Sequence, residues 1–266
     1  MINKSLLYKD TTLHYRVAGT GKTVVLIHGF GELSDIWDQL IREFKDSFHL
    51  IIPELPGTGK TQLIEDMSME GMAETIKAIL DQEGVTRSIM VGHSMGGYIT
   101  MAFAEKYPAL LQAYCLFHSS AYADTEEKKA TRRKGIQFIR DHGAFEFLKT
   151  ATPNLFSPKT RDERPELIDR QIRGLSNFSA DSLVSYYEAM IQRPDRREIL
   201  KISKVPVLFL AGESDNAIPL ADVLEQCHLP EKSYIDVLNQ SGHMGMLEEP
   251  DECTEALKNF LTHQMD

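Results

Sequence analysis

Ten residues constrain this chain more than any others: Ser88-Ile89-Met90-Val91-Gly92-His93-Ser94-Met95-Gly96-Gly97. A short apolar strand runs straight into Gly-x-Ser-x-Gly, and then into a helical segment. A serine held on so sharp a strand-to-helix turn projects its hydroxyl above the edge of a sheet. The turn leaves no room for a Cβ two positions before or after the serine, which calls for Gly92 and Gly96. The backbone N–H groups that open the following helix point toward developing negative charge.

The surrounding sequence repeats the same alternation. Leu6–Tyr8 and Thr12–Val17 read as two opening strands turned at Lys9-Asp10. Thr23–Ile27 and His49–Pro53 are continuous apolar runs, as expected of strands buried on both faces. Trp37, Leu40, Ile41 and Phe44 have helical spacing, and Ser68 can cap a helix running through Leu80 toward Gly84. Met95–Lys106 reads as the helix after the serine, and Leu111–His118 as a further strand. Strands separated by helices imply a doubly wound, mostly parallel sheet. From Ala121 to about Lys201 the pattern changes to charged helical segments with no convincing buried strand. This reads as an α-helical cap, 121–201, inserted into a core formed by 1–120 and 202–266. Alternation resumes at Val205–Ala211, continues through Ser233–Leu238, and ends in a helix over Pro250–His263.

Composition excludes several classes. Acidic residues outnumber basic ones, 39 to 29, and no basic run is interleaved with aromatics, so no nucleic-acid partner is expected. No apolar run approaches ~20 residues, so no membrane span is expected. The first ten residues carry Lys4, Lys9 and Asp10 and read as no signal peptide. Cys115, Cys227 and Cys253 are odd in number and far apart, which argues against a disulfide framework or a zinc site and for a reducing cytoplasm. The remaining histidines show no metal-like spacing, and neither a metal nor an organic cofactor is expected. The sequence is silent on oligomeric state.

A nucleophilic serine needs a base to take its proton and a third group to orient that base. Two loops supply candidates, each after a strand: Gly212-Glu213-Ser214-Asp215-Asn216 and Asn239-Gln240-Ser241-Gly242-His243. In a parallel sheet such loops emerge at one carboxyl edge. Ser94, Asp215 and His243 would therefore share a rim although they lie far apart in sequence. Glu213 and Asp124 compete with Asp215 for the acidic role.

Together with His28-Gly29-Phe30-Gly31, these segments resemble the α/β-hydrolase superfamily over nearly the full chain. The resemblance implies an eight-stranded, mostly parallel sheet with a helical cap. It implies Ser94 as nucleophile, His243 as general acid–base and Asp215 as the orienting carboxylate. The backbone N–H groups of Phe30 and Met95 map onto an oxyanion hole. Phe30, Met95, Tyr122 and Met190 are the candidates for lining the substrate pocket. His93 is expected to point away from the serine hydroxyl, and His28 to hold the oxyanion loop. Glu248-Glu249 reads as a solvated pair that suits the start of the last helix.

The implied activity is hydrolysis of small or medium carboxylic esters by an acyl-enzyme route. On the same triad, the alternatives are a C–C bond hydrolase or a lyase of menaquinone-type pathways. Haloalkane dehalogenases and epoxide hydrolases use an aspartate nucleophile, which Ser94 excludes. A non-enzymatic ligand receptor is the rival of another class. Such receptors often carry bulkier or hydroxyl residues where this chain has Gly96-Gly97.

Overall fold

Apolar runs become strands with both faces covered. The computed structural model describes residues 1–264. Strands β1 (Ile2–Tyr8), β2 (Thr11–Ala18) and β3 (Thr23–Ile27) are followed by helix α1 (Asp38–Phe44), β4 (His49–Pro53) and α2 (Met69–Gln82). Next come β5 (Ser88–His93), α3 (Met95–Lys106) and β6 (Leu111–Phe117). Six helices and no strand fill the next stretch: α4 (Glu126–His142), α5 (Ala144–Ala151), α6 (Pro158–Glu163), α7 (Pro165–Gly174), α8 (Ala180–Gln192) and α9 (Arg197–Ile202). The chain then returns to β7 (Val207–Gly212), α10 (Leu220–Leu224), β8 (Ser233–Leu238), α11 (Gly245–Glu248) and α12 (Pro250–Thr262).

The eight strands form one sheet in the order β1-β2-β4-β3-β5-β6-β7-β8. The pairs β1–β2 and β2–β4 are antiparallel, and the others are parallel. Every residue of β3, β5 and β7 is buried, which is why these strands lack polar alternation. Successive side chains go to opposite faces. Val25, Ile27, Met90 and Phe209 join the cluster around α2 and α3, whereas Val24, Leu26, Val91 and Leu208 join the one around α1 and α12. Ile139, Leu148, Leu183 and Tyr186 from the helical stretch join the first of these clusters.

The differences from the sequence reading have local causes. Strand β1 starts at Ile2 rather than Leu6, because an edge strand exposing one face carries little apolar signal. Strand β7 starts at Val207 rather than Val205, where Pro206 has no N–H to give the ladder. No helix among the described residues is long and apolar enough to cross a membrane. The topology puts the loops after β3, β5, β6, β7 and β8 on one edge of the sheet, and the candidate chemistry lies in those loops.

Candidate active site

Ser94 sits between β5 and α3 at φ 50° and ψ −115°, a conformation that costs a non-glycine residue about 1–3 kcal/mol. Its surroundings hold it there. The Ser94 N–H donates to the Phe117 carbonyl at 2.9 Å, and the Ser94 carbonyl accepts from Ser119 Oγ at 2.7 Å and from the Gly97 N–H at 2.9 Å. A Cβ on Gly92 would strike the Gly96 carbonyl, and one on Gly97 would strike Ser119. A Cβ on Gly96 would strike the Ile27 carbonyl and lie 2.7 Å from that of His28. These are backbone atoms of a buried strand end and cannot swing aside. Gly96→Ala is expected to lose about 3 kcal/mol of stability, read as a lower urea midpoint at unchanged slope.

His243 lies in the loop between β8 and α11 and is almost wholly buried. Its Nδ1–H donates to Asp215 Oδ2 at 2.7 Å. The other carboxylate oxygen of Asp215 accepts the Ala217 and Ile218 N–H groups at 2.8 and 2.9 Å. With the Nδ1 hydrogen committed to the carboxylate, the neutral ring presents a bare Nε2 as proton acceptor. Burial alone would raise the Asp215 pKa. The charge of His243, with hydrogen bonds from His118 and His243, outweighs burial and holds the carboxyl well below the usual range. For His243 burial pushes downward, but the charge and hydrogen bond of Asp215, with the fields of Glu32 and Glu248, leave its pKa raised above 6.5.

Four residues around this pair escaped the sequence reading. His118 follows β6 and is fully buried, with Nδ1 3.1 Å from the same Asp215 oxygen that His243 uses. Burial lowers its pKa despite that contact, so it donates as a neutral ring. Its place at a parallel strand's carboxyl end was the available signal. Glu248 overturns the solvated reading of Glu248-Glu249: its carboxylate is buried, and Oε1 accepts the Gly242 and Met244 N–H groups at 2.9 and 3.2 Å. Those amides flank His243. Glu249 Oε2 takes the Gln240 N–H at 2.8 Å and Ser241 Oγ at 2.7 Å. Both acids thus serve the histidine loop, a demand from folded neighbours that no local pattern announces. Glu32 is the fourth. Buried in the loop after β3, it accepts the Gly29 N–H at 2.6 Å.

His93 points away from the serine. Its Nδ1 lies 2.8 Å from Glu32 Oε1, and its Nε2 lies 2.9 Å from the carbonyl oxygen of His243. The residue before Ser94 is therefore bonded to the main chain of His243, which joins the two loops. His28 Nε2 accepts the Leu55 N–H at 3.2 Å, tying the 28–31 loop to the loop after β4. The Phe30 and Met95 N–H groups donate to no group among the described residues. The Phe30 ring stacks on Tyr187 of α8 at 4.4 Å and 7°, worth about 0.5–1.5 kcal/mol, and meets Phe147 of α5 edge-on at 6.2 Å.

The rival acids lie elsewhere. Asp124 is buried between Arg132, at 2.5 Å, and Arg193, at 2.9 Å. Burial opposes its ionisation, but bonds and charge from both arginines keep its pKa lowered. Glu213 is exposed. Of the pocket candidates, Tyr122 gives its hydroxyl to Glu225 at 2.9 Å and its ring to Arg197 at 4.6 Å, while Met190 is buried in the apolar cluster beside α2 and α3. Possible metal-ligand atoms of His118, Asp215 and His243 lie within 4.8 Å of one another. Their arrangement is that of two N–H donors converging on one carboxylate oxygen.

Residues 22–250 match the family model for the alpha/beta hydrolase fold. The chain is 25% identical to 3-oxoadipate enol-lactonase 2 of Acinetobacter baylyi, over 96% of this chain and 94% of that enzyme. It is 26% identical to 2-hydroxy-6-oxo-6-phenylhexa-2,4-dienoate hydrolase of Comamonas testosteroni, over 95% and 92%. Among solved structures, a thermophilic esterase from Thermogutta terrifontis with malate bound superposes with a TM-score of 0.93 at 26% identity, over 100% of both chains.

Proposed function

The chain belongs to the α/β-hydrolase fold family, and on that premise we propose that it is a serine hydrolase of small or medium carboxylic esters. The observation that carries the reading is the buried 2.7 Å bond from His243 to Asp215, in a loop joined through His93 to the strained turn that bears Ser94. His243 Nε2 takes the Ser94 proton as Oγ adds to the ester carbonyl. The oxyanion that forms is held by the Phe30 and Met95 amides, each such donor being worth about 3–4 kcal/mol of barrier. His243 then gives its proton to the leaving alcohol and activates the water that releases the acid. Residues 121–201 act as the cap over this rim, and Phe30, stacked on Tyr187, meets it.

A second reading has its own support. Two guanidinium groups, Arg132 and Arg193, share one carboxylate, Asp124, and Arg193 lies 3.8 Å over the ring of Tyr98, one helical turn beyond Ser94. A surplus positive charge there favours a carboxylated substrate, such as an enol-lactone or the product of ring cleavage. A panel of acyl esters of rising chain length, with carboxylated analogues included, separates the two. Continued multiple turnover of any member supports an enzyme, whereas release of about one equivalent of product would indicate a receptor.

The raised pKa of His243 fixes the direction of the pH dependence. The working base is neutral, so activity falls as His243 takes up a proton on the acid side. A plot of kcat/KM against pH, which reports the free enzyme, is expected to lose about tenfold per unit below a midpoint above 6.5. A midpoint below 6.5, or a flat profile from pH 4 to 8, would contradict a histidine base paired with Asp215.

A further inference from the structure

One buried imidazole at this rim takes no part in the proton transfers above. His93 is closed to solvent, and three chain segments end on it or on its partner. Glu32 brings the loop after β3, because its carboxylate bonds both the Gly29 N–H and His93 Nδ1. The ring itself belongs to the serine turn. Its Nε2 brings the His243 loop through a 2.9 Å contact to the His243 carbonyl. The segments meet so closely that a Cβ on Gly29 would lie 3.1 Å from Glu32 Oε2, 3.1 Å from Ser94 Cβ and 3.2 Å from His93 Nδ1.

The chemistry of the contacts narrows what they do. A carboxylate and a carbonyl both offer acceptor oxygens, so both ring nitrogens of His93 face hydrogen-bond acceptors. The bond to Glu32 has an ionised carboxylate as partner, which makes it shorter and stiffer than a neutral one. Glu248 already fixes the amides on either side of His243. With the His243 carbonyl held by His93, the main chain around the base is fixed at three successive residues. On the other side, Glu32 fixes Gly29, whose neighbour Phe30 offers its N–H to the oxyanion.

We propose that Glu32 and His93 are positioning residues that hold the Phe30 amide and the His243 main chain in register with Ser94. The proposal rests on the reading of Ser94 as nucleophile and His243 as base. Neither residue touches the reacting atoms, so their loss acts on alignment rather than on substrate binding. A misplacement of about 1 Å costs about a hundredfold in rate.

Glu32→Ala, assayed on p-nitrophenyl acetate, is expected to lower kcat about a hundredfold with KM within about threefold of the native value. Stoichiometric labelling of Ser94 by a fluorophosphonate should persist, more slowly. Glu32→Gln is expected to regain most of the rate, because a carboxamide still accepts the Gly29 N–H and keeps a polar atom within hydrogen-bond reach of His93 Nδ1. A folded Glu32→Ala with kcat near native overturns the proposal, as does a loss carried by KM. A Glu32→Gln variant as slow as the alanine variant also overturns it. Should Glu32→Ala not fold, Glu32→Gln decides: a folded protein near native kcat upholds the proposal, and collapse of this variant too assigns the pair to the scaffold and overturns it. Ser94→Ala in the same assay separates the two levels, because full activity there refutes the nucleophile assignment itself, whatever Glu32 does.

Discussion

Ser94→Ala is expected to remove turnover of p-nitrophenyl acetate almost completely, by roughly a million-fold in kcat, the scale found when a triad serine is removed in another hydrolase. In the proposed mechanism the hydroxyl oxygen forms the acyl bond, and no neighbouring group can replace it. Gly92, Gly96 and Gly97 surround the position with bare backbone, and Met95 and Ser119 are committed to the helix start and to the Ser94 carbonyl. The fold should survive. Ser94 Oγ makes no hydrogen bond among the described residues, and alanine at φ 50° is no more strained than serine. The change in stability is expected to stay within about 0.5 kcal/mol. Residual activity near native would leave the strained turn without a function.

Asp215→Asn is expected to be the next most damaging change, at about 10⁴-fold in kcat. The reason lies in how the carboxylate is shared. Oδ1 accepts two main-chain N–H groups, from Ala217 and Ile218, and these donors fix where an asparagine must place its oxygen. The amide NH2 is then turned toward the imidazole. A ring that faces a donor at Nδ1 must accept there and carry its hydrogen on Nε2, so it cannot take the Ser94 proton. His118 meets the same reversed amide at 3.1 Å, so both rings must change tautomer together. Losing the negative charge also removes the largest upward influence on the His243 pKa, and any residual activity should show an acid limb moved to lower pH. A variant with native kcat and an unmoved limb would return the acidic role to another residue.

How much of this was legible in the sequence depended on how local each cause is. The serine turn was readable because its glycines, Gly92, Gly96 and Gly97, fall within six residues around Ser94, although the atoms that Gly96 and Gly97 avoid, at Ile27, His28 and Ser119, lie elsewhere in the chain. Parallel strands such as β3 and β5 were readable because burial on both faces writes an unbroken apolar run. The meeting of Asp215 and His243 followed from topology, since loops after parallel strands share an edge. Glu32 was not readable as a partner of the site, because what selects it is a ring 61 residues away, and His118 left only its place at a strand's carboxyl end, its acceptor lying 97 residues away. Glu248 was misread for the same reason. An acid at a helix start suits solvent as well as it suits buried amides, and only the folded loop at Gly242–Met244 distinguishes the two. The arginines of the helical stretch could be counted but not aimed. Arg132 and Arg193 turn inward to Asp124, whereas Arg140 reaches only an exposed Glu188 at 3.5 Å.

The most direct measurement is the mass of the protein caught during turnover. Native enzyme mixed with excess p-nitrophenyl acetate and quenched in acid within the first turnovers should carry one added acetyl group. Peptide mapping should place it on Ser94, hydroxylamine should remove it, and the Ser94→Ala protein should carry none. An unmodified protein that still turns over, or an acetyl group that maps to any other residue, would contradict covalent catalysis at this turn.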